Sequence, residues 1–120
     1  MEVLNSNPVL AVHDLERSAA WYRDVLGCET RDADPGNWTF CRSGMVEFML
    51  GRCPDVVPAS ELGDHSYVAR VDDVNAFHDQ AVKVGTEISK PPTDEPWGMR
   101  EFGVRSPDGH RFMLGQPLPS

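Results

Sequence analysis

The chain of 120 residues is the length of one ordinary domain, or of two very small units sharing a core. Hydrophobic residues at 40% and charged residues at 25% suit a soluble globular protein and exclude a disordered chain. Eleven Lys+Arg against 19 Asp+Glu leave a net charge of −8, which repels phosphate backbones and anionic lipid and attracts cations. No nucleic-acid or membrane partner is therefore expected. No apolar run approaches the roughly 18 residues that span a bilayer. Met1-Glu2-Val3-Leu4-Asn5 does not read as a signal peptide, so a cytoplasmic location is expected. Cys28, Cys41 and Cys53 make an odd count with no C-x-x-C, as free thiols of a reducing compartment would.

Pro8-Val9-Leu10-Ala11-Val12 has strand composition. Asp14 then offers an N-cap oxygen, Leu15, Ala19, Tyr22 and Leu26 follow at helical spacing, and Gly27 closes the helix. Short strands are expected near 28–31, at 38–42 and at 45–51, with turns at Asp34-Pro35-Gly36-Asn37 and Ser43-Gly44. Residues 53–64, with Pro54, Pro58 and Gly63, read as a connecting loop.

The order then repeats. Tyr67-Val68-Ala69-Arg70-Val71 is a strand, and Asp72 or Asp73 caps a helix whose apolar face is Val74, Phe77, Ala81 and Val84, ended by Gly85. Residues 86–89 form a short strand. Residues 90–98 hold Pro91, Pro92 and Pro96 and read as a loop. Strands at 99–105 and 110–116 flank Ser106-Pro107-Asp108-Gly109, whose proline and glycine suit a type I turn. The chain is thus βαβββ twice: module one at 1–60 and module two at 61–120 of a single domain. Val12-His13-Asp14-Leu15 corresponds to Val71-Asp72-Asp73-Val74, 59 residues apart. Neither half is expected to be stable alone.

This order, with PVLAVHDLERSAAWYRDVLG at the start and PWGMREFGVRSPDGHRFMLGQ at the end, resembles the glyoxalase/bleomycin-resistance/dioxygenase superfamily, the vicinal oxygen chelate proteins. The stretch from Glu95 to Phe102 looks most like the bleomycin-resistance branch. The resemblance implies an α+β fold of two tandem βαβββ modules whose curved mixed sheets enclose a cleft. It also implies a homodimer, with the N-terminal strand exchanged between subunits near Pro8.

Enzymes of this superfamily hold a divalent ion through His, Gln and Glu. The corresponding positions here read Asn7, Glu47, Ser66 and Met113, of which only Glu47 is a good hard-metal ligand. His65 would join Glu47 only if the register slipped by one residue. No cofactor and no catalytic residue is therefore expected. His13, His78 and His110 read as solvated or capping residues, His78 on the helix face away from Phe77 and Ala81.

Strand alternation gives the rest of the expected lining. Asn7, Val9, Ala11, Met45, Glu47, Met49, Ser66, Val68, Arg70, Met99, Glu101, Arg111 and Met113 share one parity. The opposite parity holds Leu10, Val12, Val46, Phe48, Leu50, Ala69, Val71, Phe102, Val104, Phe112 and Leu114, and is far more apolar, so it packs under the helices. Four of the five methionines fall in the lining, as suits a surface that accepts varied ligands. Trp38, Phe40 and Trp97 flank it, and aromatic faces near Glu47 or Glu101 suit a planar cation. Trp21 reads as packing or dimer interface. The expected ligand-binding set is Trp38, Phe40, Glu47, Met49, Trp97, Met99, Glu101 and Met113.

The leading expectation is a non-catalytic protein that sequesters a drug-like, cationic or aromatic small molecule, with antibiotic resistance as the associated role. The alternative is a divalent-metal-dependent lyase, isomerase or dioxygenase using Glu47 and His65, with Glu101 as base. A third reading is an accessory module in which Arg70 and Arg111 pair with Glu47 and Glu101 and close the site.

Overall fold

The computed structural model describes residues 1–61 and 67–119. The backbone divides into two compact units, Met1–Val56 and Val57–Ser120. In the first, β1 (Val9–Val12) leads into α1 (Leu15–Leu26), followed by β2 (Glu29–Asp34), β3 (Trp38–Ser43) and β4 (Val46–Arg52). The strands form one sheet in the order β1-β4-β3-β2, with β1 parallel to β4 and the other pairs antiparallel. The second unit has a single helical turn at Ala59–Glu61, then β5 (Tyr67–Arg70), α2 (Val74–Val84), β6 (Glu87–Asp94), β7 (Met99–Arg105) and β8 (Arg111–Pro117). Its sheet has the order β5-β8-β7-β6, again with one parallel pair, β5 with β8. The fold is therefore two βαβββ modules with two mixed four-stranded sheets.

Both helices start and stop where side-chain chemistry dictates. Asp14 Oδ1 accepts the Arg17 N–H at 3.0 Å, and Asp73 Oδ1 accepts the Ala76 N–H at 3.1 Å. These oxygens satisfy first-turn donors that no helical carbonyl reaches. Gln116 Oε1 takes the Val74 N–H at 2.5 Å, tying α2 to β8. Gly27 and Gly85 end the helices in the left-handed region at φ 68° and 75°.

Each helix packs on one face of its own sheet. Leu10, Val12, Cys41, Phe48 and Leu50 are buried on the α1 side, where the Tyr22 ring meets Phe48 edge-on at 5.2 Å. Phe102, Val104, Phe112 and Leu114 are buried on the α2 side. Val46 departs from this pattern and is exposed at the very start of β4.

Four expectations need correction. Residues 90–94 are strand, not loop, because Pro91 and Pro92 lie on β6, an edge strand, where missing N–H donors are tolerated. Met45 lies before β4 in the Ser43-Gly44 turn and is fully exposed. His78 faces the sheet, its ring edge-on to Phe102 at 5.5 Å, since it lies one helical turn from both Val74 and Ala81. His110 is buried: its N–H donates to Ser106 Oγ at 3.0 Å and its ring Nδ1 lies 3.3 Å from that oxygen. The half-buried His13 is also tied down, with Nε2 2.6 Å from the Val56 carbonyl oxygen. No helix is long and apolar enough to cross a membrane among the described residues.

Candidate functional site

The sheet faces turned away from the helices carry Val9, Ala11, Glu47, Met49, Val68, Arg70, Met99, Glu101, Arg111 and Met113 of the expected lining; Asn7 and Met45 lie outside the strands, and Ser66 lies outside the described residues. In the first sheet, directly paired residues share a face, so the register groups them into rows. Val9, Met49, Phe40 and Arg31 form one row, and Ala11, Gly51 and Trp38 the next. The Arg31 guanidinium lies over the Phe40 ring at 4.5 Å, so one ring face already has a cationic neighbour. The Trp38 indole lies across Gly51, where an added Cβ would come within 2.8 Å of the ring. Gly51 is thus the seat on which Trp38 rests, and Trp38 remains exposed at 38%.

Glu47 and Arg42 pair across β3 and β4 at the end of the same face. The Asn7 amide donates to Glu47 Oε1 at 3.2 Å. Asn5, Ser6, Asn7, Arg42, Met45 and Glu47 bound a recess of about 260 Å³ there. A larger recess of about 700 Å³ lies by α1, lined by His13, Asp14, Glu16, Arg23, Asp32 and Arg52 among others, outside the expected lining. There Thr39 Oγ1 donates to Asp32 Oδ1 at 3.0 Å.

In the second sheet, Met113 pairs with Val68 and Gly103, and Glu101 with Thr93 and Gly115. Met99 and Glu101 side-chain carbons come within 3.3 Å of a Cβ built on Gly115, so both lean over β8. Trp97 sits on the turn between β6 and β7, which is closed by Glu95 N–H to Met99 O at 2.7 Å and Gly98 N–H to Glu95 O at 3.0 Å. The Arg100 guanidinium grips both oxygens of Asp94 at the base of that turn, and the hydrogen bond holds the Asp94 carboxyl below the usual carboxylate range.

Sequence reasoning left out Lys90, which belongs to this face, and its partner Glu95 on the adjoining turn. Lys90 Nζ contacts Glu95 Oε1 and lies 3.8 Å from Glu101 Oε1. Glu101 therefore has a lysine beside it, where the accessory-module reading paired it with an arginine, and the Asn7 amide donates to Glu47. Lys90 was hidden by a bulge. Ile88 pairs with Val104 but Lys90 with Gly103, so the register slips by one between them. Without the slip Lys90 would share the face of Ile88. Gly103 has no side chain where Ser89 Oγ would stand 2.3 Å from its Cβ, and that gap admits the bulge. Only the small residue at 103 hinted at this.

Of the described positions that correspond to metal ligands, Asn7, Glu47 and Met113, only Glu47 suits a hard divalent ion. Asn7 presents its NH₂ to Glu47, and Met113 offers a soft thioether. No group of three or more His, Cys, Asp or Glu side chains is placed to hold a metal ion among the described residues. Ser66 and the alternative ligand His65 lie outside the described residues.

The family model described as Glyoxalase/Bleomycin resistance protein/Dioxygenase superfamily matches residues 6–114, and the chain belongs to that superfamily. Among solved structures it is similar to a bleomycin resistance determinant encoded on the transposon Tn5, at 27% identity and TM-score 0.75, covering 96% of this chain and 98% of that one. The fosfomycin resistance protein FosX from Listeria monocytogenes shares the fold at 17% identity and TM-score 0.79, covering 97% and 94%. Lactoylglutathione lyase from Agrobacterium tumefaciens does so at 20% identity and TM-score 0.73, covering 96% and 94%. No curated protein matches the chain in sequence.

Proposed function

We propose that this protein binds and sequesters a drug-like organic molecule, aromatic and cationic, without making or breaking a bond. The observation that carries the reading is the chemistry of the faces turned away from the helices. The first sheet carries Trp38, Phe40, Met49 and Glu47 on that face, and the second carries Met99, Met113 and Glu101 with Trp97 on the adjoining turn; no cluster of metal ligands occurs among the described residues. Rings and thioethers adapt to flat ligands of varied outline, and carboxylates select for positive charge. Likeness to a bleomycin resistance determinant supports a resistance role. A homodimer with an exchanged N-terminal strand and a cytoplasmic location complete the proposal.

Tryptophan fluorescence titration with a cationic glycopeptide antibiotic tests it. Quenching that saturates is expected, together with a rise in melting temperature, because a ligand that prefers the folded state stabilises it. Glu47→Gln or Glu101→Gln should weaken binding, with the loss shrinking at high salt. Elemental analysis is the counter-test. Stoichiometric Ni, Zn, Mn or Fe that Glu47→Ala removes would replace this reading with the metal-dependent enzyme.

A further inference from the structure

The bulge in β6 brings the Lys90 ammonium to a place where three groups of the second unit converge. It contacts the Glu95 carboxylate, lies 3.8 Å from Glu101 Oε1, and stands 6.0 Å from the centre of the Trp97 indole. The two carboxylate side chains retain only 14% and 15% of their solvent exposure, whereas Trp97 keeps 63%. Two shielded carboxylates beside an open indole face are the parts of a receptor for an organic ammonium. Here the chain supplies that ammonium itself.

Lys90 is suited to leave as well as to stay. Its side chain is 29% exposed, and a primary ammonium on a four-carbon stem is strongly hydrated and mobile. Two neighbouring shielded carboxylates repel one another, and a cation between them relieves that repulsion. A ligand cation that enters must therefore exchange with Lys90.

We propose that Lys90 is a tethered occupant of an ammonium seat formed by Glu95, Glu101 and Trp97, and that this competition sets which ligands the face accepts. The favoured class is an organic cation whose charge adjoins a flat ring, because the ring adds stacking on the exposed Trp97, which the Lys90 ammonium meets only at 6.0 Å. Simple alkylammonium ions gain nothing over the lysine and are rejected. The inference rests on the proposed binding function.

The test titrates benzyltrimethylammonium against the full-length protein, its Lys90→Met variant and the Lys90→Met/Glu101→Gln double variant, by tryptophan fluorescence and calorimetry. Met keeps the length of the stem and removes the charge. Lys90→Met is expected to bind about fivefold more tightly, the scale of a partly exposed ion pair, and the double variant to lose that gain. Lys90→Gln replaces Lys90→Met should the latter fail to fold. Binding to the wild type that Lys90→Met leaves equal or weaker overturns the inference and leaves the proposed function standing. Binding by Lys90→Met alone supports the inference, Lys90 then excluding this cation from the native face. Binding by none of the three overturns the inference, and the glycopeptide titration then decides the proposed function by itself.

Discussion

Burial sets the behaviour of the three thiols. It pushes Cys28 up to about 11, and burial together with the neighbouring Cys28 pushes Cys41 up to about 12 against a pull from Arg23. Neutral thiols are poor nucleophiles, and Cys28 and Cys41 are shielded as well. Ellman's reagent at pH 8 is expected to modify only the half-buried Cys53 quickly, with the other two reacting at the rate of unfolding. The linkage to stability has a definite sign. Below about pH 9 these thiols are protonated in both states, and their contribution is complete. Above it the unfolded chain ionises first, so stability falls as pH rises towards 11 and 12. Urea midpoints measured from pH 8 to 11 should drop for the wild type and drop less for a Cys28→Ala/Cys41→Ala variant. The cysteines were legible in the sequence as free thiols; Cys41 is buried because it pairs with Phe48 on the α1 side of the sheet, and Cys28 because it follows the Gly27 cap, its N–H donating to the Tyr22 carbonyl.

At the level of elements, local signals and structure agree wherever one residue serves one purpose. Asp14 and Asp73 cap, Gly27 and Gly85 stop, and the apolar parity of β4, β7 and β8 lies beneath the helices. Asp14→Ala and Asp73→Ala should each cost about 1 kcal/mol, read from denaturant midpoints. Phe102→Ala should cost about 3–5 kcal/mol, since the ring is fully buried and supports His78. Legibility failed where two elements meet. The bulge that turns Lys90 to the Glu101 face arises from the fit of β6 against Gly103, and no pattern within residues 86–94 carries it. Proline chemistry misled for a related reason. Pro91 and Pro92 are incompatible with a central strand, and only the strand order reveals β6 as an edge. The site was half legible in the same sense: alternation places Met49, Glu47, Met99, Glu101 and Met113, but the partners of each carboxylate come from other elements.

For the molecule as a whole, the net charge of −8 is the governing quantity. Uncompensated carboxylates repel one another, and salt screens that repulsion over about 10 Å at 0.1 M. The melting temperature of the ligand-free protein should therefore rise between 10 and 300 mM NaCl. Affinity for a cationic ligand should fall over the same range. Opposite slopes in one titration series separate a charge-steered binder from one that recognises shape alone. A melting temperature that falls with salt would place the dominant interactions among attractive pairs such as Asp94–Arg100 and Glu87–Arg105.

Pro91 and Pro92 also carry a consequence for assembly. Along a strand, successive N–H groups point alternately inward and outward within the plane of the sheet, so of two adjacent prolines one always deletes a donor from the outer rim. The inner loss falls in the stretch between Lys90 and Thr93, where pairing with β7 is already interrupted. The outer loss leaves β6 a poor template for another chain and disfavours lateral growth from that border. An oligomer of this protein that forms by adding strands is expected to start from a different border.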